Sequence, residues 1–199
     1  MKQAWLKWLG LGIVLVALAV VAFRWLRPPE LHGFLLDPEQ PAADFTLTSA
    51  GGQPIRLSDY RGKLVLLYFG YTHCPDACPT TMAETKVAFA ELGAQAADVQ
   101  VIMVSIDPER DTPEALAAYV QQFDPRFLGG TTTLDEVTAL ASAYGVFFQK
   151  HEGSVATGYL IDHSAQMIVV DRQGYTRMLL PYGLRGEDMA TDLRYLLSL

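Results

Sequence analysis

The chain of 199 residues is poor in cysteine, with only two. A disulfide, a thiol nucleophile or a soft-metal site built by this chain alone must therefore use Cys74 and Cys78. A disulfide between residues four apart closes a short loop, and the entropy it removes from the unfolded chain stabilises the fold by only about 2 kcal/mol. The rest of the chain is long enough to bury a core without such a link, so a purely structural disulfide is disfavoured.

Positive charge is also scarce. The formal net charge is −7, and the first 30 residues hold four basic side chains against one acidic one, so the remainder carries −10. Such a domain is repelled by phosphate backbones and by anionic lipid. Nucleic acid is therefore not an expected partner.

Charge is absent altogether from residues 8–23, which basic residues flank on both sides. As a helix this stretch is about 24 Å long, short of a hydrocarbon core of about 30 Å. Flanking Trp and Leu residues extend it, and Lys7 and Arg24 can reach the headgroups. We predict a single transmembrane anchor over 1–27, with a cleaved signal peptide as the alternative. Residues 28–42 are predicted to be a linker that Pro28 and Pro29 stiffen.

Residues 43–199 have the pattern of one α/β domain. The predicted strands are 45–48, 55–57, 64–71, 99–106, 127–131, 158–161, 167–171 and 175–180, the first two and the last two forming hairpins. The predicted helices are 80–96, 114–123, 134–144 and 185–199.

This alternation predicts a mostly parallel sheet with helices on both faces. Active sites of such sheets lie beyond the carboxyl ends of the strands, and the cysteine pair follows strand 64–71 there. A hairpin, a strand, a cysteine pair, a helix and a late hairpin are together typical of a thioredoxin-like fold. Two thiols near a helix N-terminus favour disulfide exchange, whereas paired thiolates also select Cu(I) or Zn(II).

Four histidines are candidate third ligands. His32 lies in the predicted linker, His151 lies in a polar stretch, and His73 adjoins Cys74, where its side chain can point elsewhere. His163 precedes the late hairpin, where thioredoxin-like redox proteins usually carry a cis-proline and this chain has none. Its imidazole opposite two thiolates suits copper; the alternative is a partly buried histidine bonded to Asp162. The scattered methionines fit core packing better than a thioether copper site.

Three motifs carry a family resemblance. They are YFGYTHCPDACP at 68–79, SIDPERDT at 105–112 and YLIDHS at 159–164. In this order and spacing they resemble the Sco (SenC) family of copper proteins. The resemblance runs from about residue 45 to the C-terminus and includes the N-terminal anchor.

The resemblance implies a membrane-tethered thioredoxin-like domain that binds one copper ion, Cu(I) or Cu(II), through Cys74, Cys78 and His163. It implies a role in building the copper A site of cytochrome c oxidase subunit II, by delivering copper, by reducing the target cysteines, or both. The expected partners are subunit II and a periplasmic copper donor. The expected location is the bacterial inner membrane, single pass, with the C-terminal domain in the periplasm.

Other interpretations stay open at this point. The chief alternative is a thiol:disulfide oxidoreductase that uses the cysteine pair without obligatory metal; a peroxidase-like thiol enzyme and a zinc site with water are further ones. Asp76 and Asp162 are candidates for hydrogen bonds to the ligands from outside the metal shell, or are solvated loop acids. Asp107 is interpreted as a local loop cap.

Overall fold

The computed structural model describes residues 15–16, 18, 30–153 and 158–199. The chain divides into two units, 1–30 and 31–199. The predicted transmembrane helix within 1–27 falls almost wholly outside the described residues. Among those that are described, no helix has both the length and the apolar character needed to cross a bilayer.

The unit from Leu31 onward contains ten strands and four α-helices in its described part. The strands are β1 (Phe34–Pro41), β2 (Thr46–Thr48), β3 (Pro54–Arg56), β4 (Leu64–Gly70), β5 (Val99–Ser105), β6 (Leu128–Gly130), β7 (Phe148–Glu152), β8 (Tyr159–His163), β9 (Met167–Val170) and β10 (Tyr175–Leu180). The helices are α1 (Ala77–Leu92), α2 (Pro113–Gln121), α3 (Leu134–Ala143) and α4 (Gly186–Leu197).

Six strands form one sheet in the order β1-β10-β9-β4-β5-β6. Only β4–β5 and β5–β6 pair in parallel in this sheet, while β4–β9, β9–β10 and β1–β10 are antiparallel. The expectation of a mostly parallel sheet is therefore wrong. The reason is the late hairpin: a short turn joins β9 to β10, so the chain reverses without a crossover helix.

Strand β4 is the centre of the core. All seven of its residues are buried, as its continuous apolar sequence predicted for a strand covered on both faces. Two helix starts were also predicted correctly. The Thr112 side chain accepts the Ala115 N–H at the start of α2, and Thr133 and Glu136 form a capping box at the start of α3. The predicted first hairpin is the antiparallel pair β2–β3.

Two strands lie where none was predicted. Strand β1 falls inside the predicted linker 28–42 and pairs with β10, so that linker assignment is wrong for residues 34–41. Strand β7 occupies the polar stretch around His151 and pairs with β8, with Phe148 opposite His163. Both strands take their stability from a partner strand, and neither carries the apolar alternation by which strands are predicted.

The entry to β1 is fixed by a buried acid on α4. Asp192 is fully buried, and its carboxylate accepts the backbone N–H groups of His32 (3.0 Å) and Gly33 (2.7 Å). The chain immediately before β1 is therefore held to the last helix by hydrogen bonds rather than by apolar packing alone.

Candidate metal centre

The two cysteines lie where β4 gives way to α1. Cys74 is in the connecting loop and is half-buried, whereas Cys78 is in the first turn of α1 and is fully buried. The Cys74 N–H bonds to the Tyr71 carbonyl at 3.3 Å, and the Thr80 N–H bonds to the Asp76 carbonyl at 3.1 Å. These bonds turn the loop back so that both sulfurs lie at the helix N-terminus.

His163 approaches this pair from the end of β8. Its Nε2 lies 3.5 Å from the Cys78 Sγ, and the ligand atoms of Cys74, Cys78 and His163 all lie within 4.8 Å of one another. The ring Nδ1 lies 3.2 Å from the Ser164 carbonyl oxygen. With a metal bound, an Nδ1–H tautomer would donate to that carbonyl and turn the Nε2 lone pair toward the metal, as in metal-binding histidines; without a metal, an Nε2–H group can donate to the Cys74 sulfur.

The two thiols differ in acidity. A hydrogen bond from the Cys78 thiol lowers the pKa of Cys74, and His163 with the backbone N–H groups of Cys78 and Asp76 acts in the same direction against burial. That shared hydrogen bond, together with burial, raises the pKa of Cys78. In the metal-free pair these shifts favour the thiolate on Cys74 and the thiol on Cys78, and the helix N-terminus also favours the thiolate.

Close packing surrounds the buried sulfur. Gly70 ends β4 directly against it, because a Cβ built there would lie 2.9 Å from the Cys78 Sγ. The rings of Tyr68 and Tyr71 meet His163 edge-on, with centroids 6.1 and 6.0 Å away. Sequence reasoning missed Gly70, whose only signal was a glycine ending a strand of bulky residues four positions before Cys74.

The other histidines do not join the centre. The His73 ring is 54% exposed and lies 3.0 Å from the Thr72 Oγ1. His32 lies between two acids of α4, Asp188 and Asp192. His151 lies 3.4 Å from Asp162 across the β7–β8 pair. Of the four candidates, the structure therefore brings only His163 to the cysteines.

The two acids considered as outer supports behave differently. Asp162 is 81% exposed and faces His151, because neighbouring residues of a strand point to opposite faces. The described structure shows no hydrogen bond between Asp162 and His163, so the alternative Asp162–His163 bond is not seen there, and the outer-shell role of Asp162 stays a prediction. The Asp76 carboxylate lies 3.5 Å from the Thr80 Oγ1, and its backbone N–H, not its carboxylate, supports Cys74.

The SIDPERDT segment adds a support that sequence reasoning missed. Asp111 is buried, and its carboxylate accepts hydrogen bonds from the Thr72 backbone N–H (3.2 Å), the Thr72 hydroxyl (2.5 Å) and the Ser105 hydroxyl (2.7 Å). This acid fixes the loop two residues before Cys74. The available signal was a second aspartate in a motif that begins at the end of a buried strand.

A cleft of about 230 Å³ opens beside the three ligands. Its walls come from the cysteine loop, from β8 and from the loop that follows β10. They are formed by Tyr71, Cys74, Pro75, Asp76, Ala77, Leu160, Ile161, Asp162, His163 and Tyr182. Cys74 and His163 are therefore reached from solvent through this cleft, while Cys78 lies beneath them.

Known proteins are similar to this chain in sequence. "Protein SCO2 homolog, mitochondrial" of Mus musculus is 37% identical over 167 residues, which cover 83% of this chain and 65% of that protein. "Protein SCO1 homolog, mitochondrial" of Homo sapiens is 37% identical over 132 residues, 65% of this chain and 44% of that protein. The chain thus spans about half to two thirds of the length of these relatives.

Solved structures are similar over most of the chain. Apo Sco1 from Thermus thermophilus has a TM-score of 0.74 and 40% identity, covering 84% of this chain and 97% of that one. ScoI from Bradyrhizobium japonicum, solved with copper bound, has a TM-score of 0.71 and 33% identity, covering 78% and 99%. The fold is thus the thioredoxin-like Sco fold. Because the SCO1/SenC family model also matches residues 36–198, the chain belongs to the SCO1/SenC family.

Proposed function

We propose that this protein is a copper-binding assembly factor in which Cys74, Cys78 and His163 bind one copper ion. The observation that carries the proposal is the convergence of two sulfurs and one imidazole nitrogen within 4.8 Å. Such a set suits three-coordinate Cu(I), or Cu(II) with one further weak ligand. The family supports it, since ScoI from Bradyrhizobium japonicum was solved with copper bound.

The proposed destination of the copper is the copper A site of cytochrome c oxidase subunit II. A structural relative, BsSco, is described as a member of the Sco family of cytochrome c oxidase assembly proteins. The cleft at the ligands suits transfer, because Cys74 and His163 are within reach of a partner protein while Cys78 holds the ion from below. A periplasmic protein is the proposed copper donor.

Copper titration tests the site directly. The full-length protein in mild detergent, with its thiols reduced, is titrated with Cu(I) against a competing chromophoric chelator, and one copper per chain is expected. Cys74→Ser or Cys78→Ser should abolish this binding. His163→Ala removes a ligand, so it should weaken binding by more than the roughly 10–100-fold typical of changes outside the metal shell.

His73→Ala is the matched control for His163→Ala. His73 adjoins Cys74 in sequence, but its ring is directed to Thr72 and Asp111, so its removal should leave copper affinity unchanged. Full affinity in His163→Ala would rule out the three-ligand site. Equal losses in both histidine variants would show an effect on the loop rather than on ligation.

Thiol:disulfide exchange is a second candidate function, favoured by the lowered pKa of the half-buried Cys74. The Cys74 thiolate would attack a target disulfide and release one target thiolate. Cys78, after losing its proton, would then resolve the mixed disulfide, leaving the target reduced and a Cys74–Cys78 disulfide. Metal-free protein should then reduce oxidised subunit II stoichiometrically. Copper binding should block this reaction, since both processes use the same two sulfurs.

The membrane placement is also a proposal. Residues 1–27 would form an uncleaved single-pass anchor in the bacterial inner membrane, with the C-terminal domain in the periplasm, where subunit II presents its copper A site. A C-terminal alkaline phosphatase fusion should be active, because that enzyme matures only after export. An inactive fusion, or a mature chain shortened by a signal peptide's length, would contradict this placement.

A further inference from the structure

The strand that carries His163 is not hydrogen-bonded into the main sheet. Strands β7 and β8 form a separate two-stranded sheet, so main-sheet pairing does not set the position of the imidazole. Hydrogen bonds from Ser164 and Phe147 close one end of the β7–β8 pair on itself. The contacts that join β8 to the rest of the domain therefore determine where His163 lies.

The strongest of these contacts come from the SIDPERDT segment and meet the first residue of β8. The Arg110 guanidinium donates from Nη1 to the Tyr159 carbonyl at 3.1 Å, and its centre lies 3.6 Å from the centroid of the Tyr159 ring. Asp107, which is buried, accepts the Arg110 Nε–H at 2.5 Å and the Tyr159 hydroxyl at 2.6 Å. Both the backbone and the side chain of Tyr159 are thus fixed.

A second contact joins the middle of β8 to the cysteine loop. The Ile161 N–H donates to the Tyr71 hydroxyl at 3.1 Å. The Tyr71 ring then meets His163 edge-on, and the Arg110 guanidinium lies 5.8 Å from the centroid of the same Tyr71 ring. Arg110 therefore lies between the start of β8 and the residue that begins the cysteine loop.

We propose that Asp107, Arg110 and Tyr159 are positioning residues that hold β8 so that His163 meets the two sulfurs. None of the three contacts the proposed copper ion; they act through the strand. Charge-assisted hydrogen bonds to a buried carboxylate are strong and directional, which suits a support that must fix a strand lying outside the main sheet. This inference rests on the proposed copper site.

A double-mutant cycle tests it. Arg110→Lys keeps the charge but loses the planar group that bonds Asp107 and Tyr159 together. Copper affinity is measured for Arg110→Lys in the parent and in the His163→Ala background, all as full-length chains. In the parent, Arg110→Lys should weaken copper affinity about 10–100-fold. In the His163→Ala background it should change copper affinity by no more than about twofold, because Arg110 acts on the copper site only through His163.

Arg126→Lys is the matched control. Arg126 also bonds an aspartate, Asp124, at 2.7 Å and lies over an aromatic ring, Phe89, but it has no contact with β8 in the described structure. It should leave copper affinity unchanged in both backgrounds. Tyr159→Phe, which removes only the hydroxyl bonded to Asp107, should repeat the Arg110→Lys pattern with a smaller loss and keeps the test decisive if Arg110→Lys does not fold.

Copper(II) spectroscopy supplies an independent readout. In Arg110→Lys, the thiolate-to-copper absorption should remain, while the electron spin echo modulation from the imidazole nitrogen should weaken. Equal losses of affinity with and without His163, or an unchanged imidazole signal, would overturn the inference while leaving the copper site intact. A parent that shows no thiolate-to-copper band would instead refute the proposed function.

Discussion

Replacing Gly70 by alanine should displace the buried copper ligand. A Cβ at this position would lie 2.8 Å from the Tyr68 Cε1, 2.9 Å from the Cys78 Sγ and 3.0 Å from the Met103 Cε. Non-bonded carbon atoms pack best at about 3.5–4.0 Å, so neighbours must retreat by about 0.6 Å or more. The Met103 methyl group can rotate away, but the Tyr68 ring is fully buried. Cys78 is buried to the same degree, so the sulfur must move as well as the ring.

The expected losses differ in size and kind. Inserting a methyl group into a packed core costs about 1–3 kcal/mol of unfolding free energy. Metal–ligand distances are held within about 0.2 Å in a good site, so a displacement of about 0.6 Å should weaken copper binding at least tenfold. A tenfold loss corresponds to about 1.4 kcal/mol. Gly70→Ala should thus lose both stability and affinity.

Gly33→Ala separates these two effects. Its Cβ would be equally crowded, 2.8 Å from both the Leu180 Cδ2 and the Met178 Sδ, but the contacts lie on β10. Neither glycine has a positive φ, so backbone strain does not enter. Urea denaturation should show similar destabilisation of both variants, and chelator competition should show weaker copper binding only for Gly70→Ala. Parent affinity in Gly70→Ala, or an equal loss in Gly33→Ala, would refute the reasoning.

Three further predictions concern other parts of the domain. Because its pKa is lowered, Cys74 of the metal-free protein should keep its thiolate as pH falls; its iodoacetamide rate should fall less than tenfold from pH 8 to 6, where an ordinary thiol loses about a hundredfold. Asp111→Ala frees donors on Thr72 and Ser105 and should weaken copper binding about 10–100-fold, whereas unchanged affinity would exclude a supporting role. Asp192→Ala leaves two backbone N–H groups without their acceptor. It should lower the free energy of unfolding, measured by urea denaturation, by about 2–6 kcal/mol and leave the copper affinity of the folded protein unchanged.

The parts of the fold that sequence predicted well are those determined locally. Strand β4 could be assigned because seven consecutive buried residues leave an uninterrupted apolar run. The start of α3 could be assigned because its capping box lies within four residues. Strands β1 and β7 were not predicted because their stability comes from pairing with β10 and β8, and their own sequences lack an apolar alternation.

In the candidate site, too, the residues marked by local motifs were predicted, and those that depend on distant partners were not. Cys74, Cys78 and His163 were identified from three motifs, and the structure brings their ligand atoms together. Asp162 follows a different pattern: it adjoins His163 in sequence, but adjacent strand residues point to opposite faces, and its carboxylate lies near His151. Asp111 was missed because one of its partners, Thr72, lies in the cysteine loop far away in sequence, and only the sheet brings the two segments together.

The unequal cysteines give the two candidate functions a common first step. Cys74 is half-buried and its pKa is lowered, whereas Cys78 is fully buried and its pKa is raised by its hydrogen bond to Cys74 and by that burial. An incoming copper ion or a target disulfide therefore meets the Cys74 thiolate first, and either reaction then requires Cys78 to lose its proton. The second step differs between the partners: a metal ion recruits the imidazole of His163, whereas a disulfide converts the pair into a bond that no longer binds metal. Blocking Cys74 alone should consequently abolish both activities, while replacing His163 should remove a copper ligand but slow the reduction of a target disulfide only through the part of the lowered Cys74 pKa that His163 supplies.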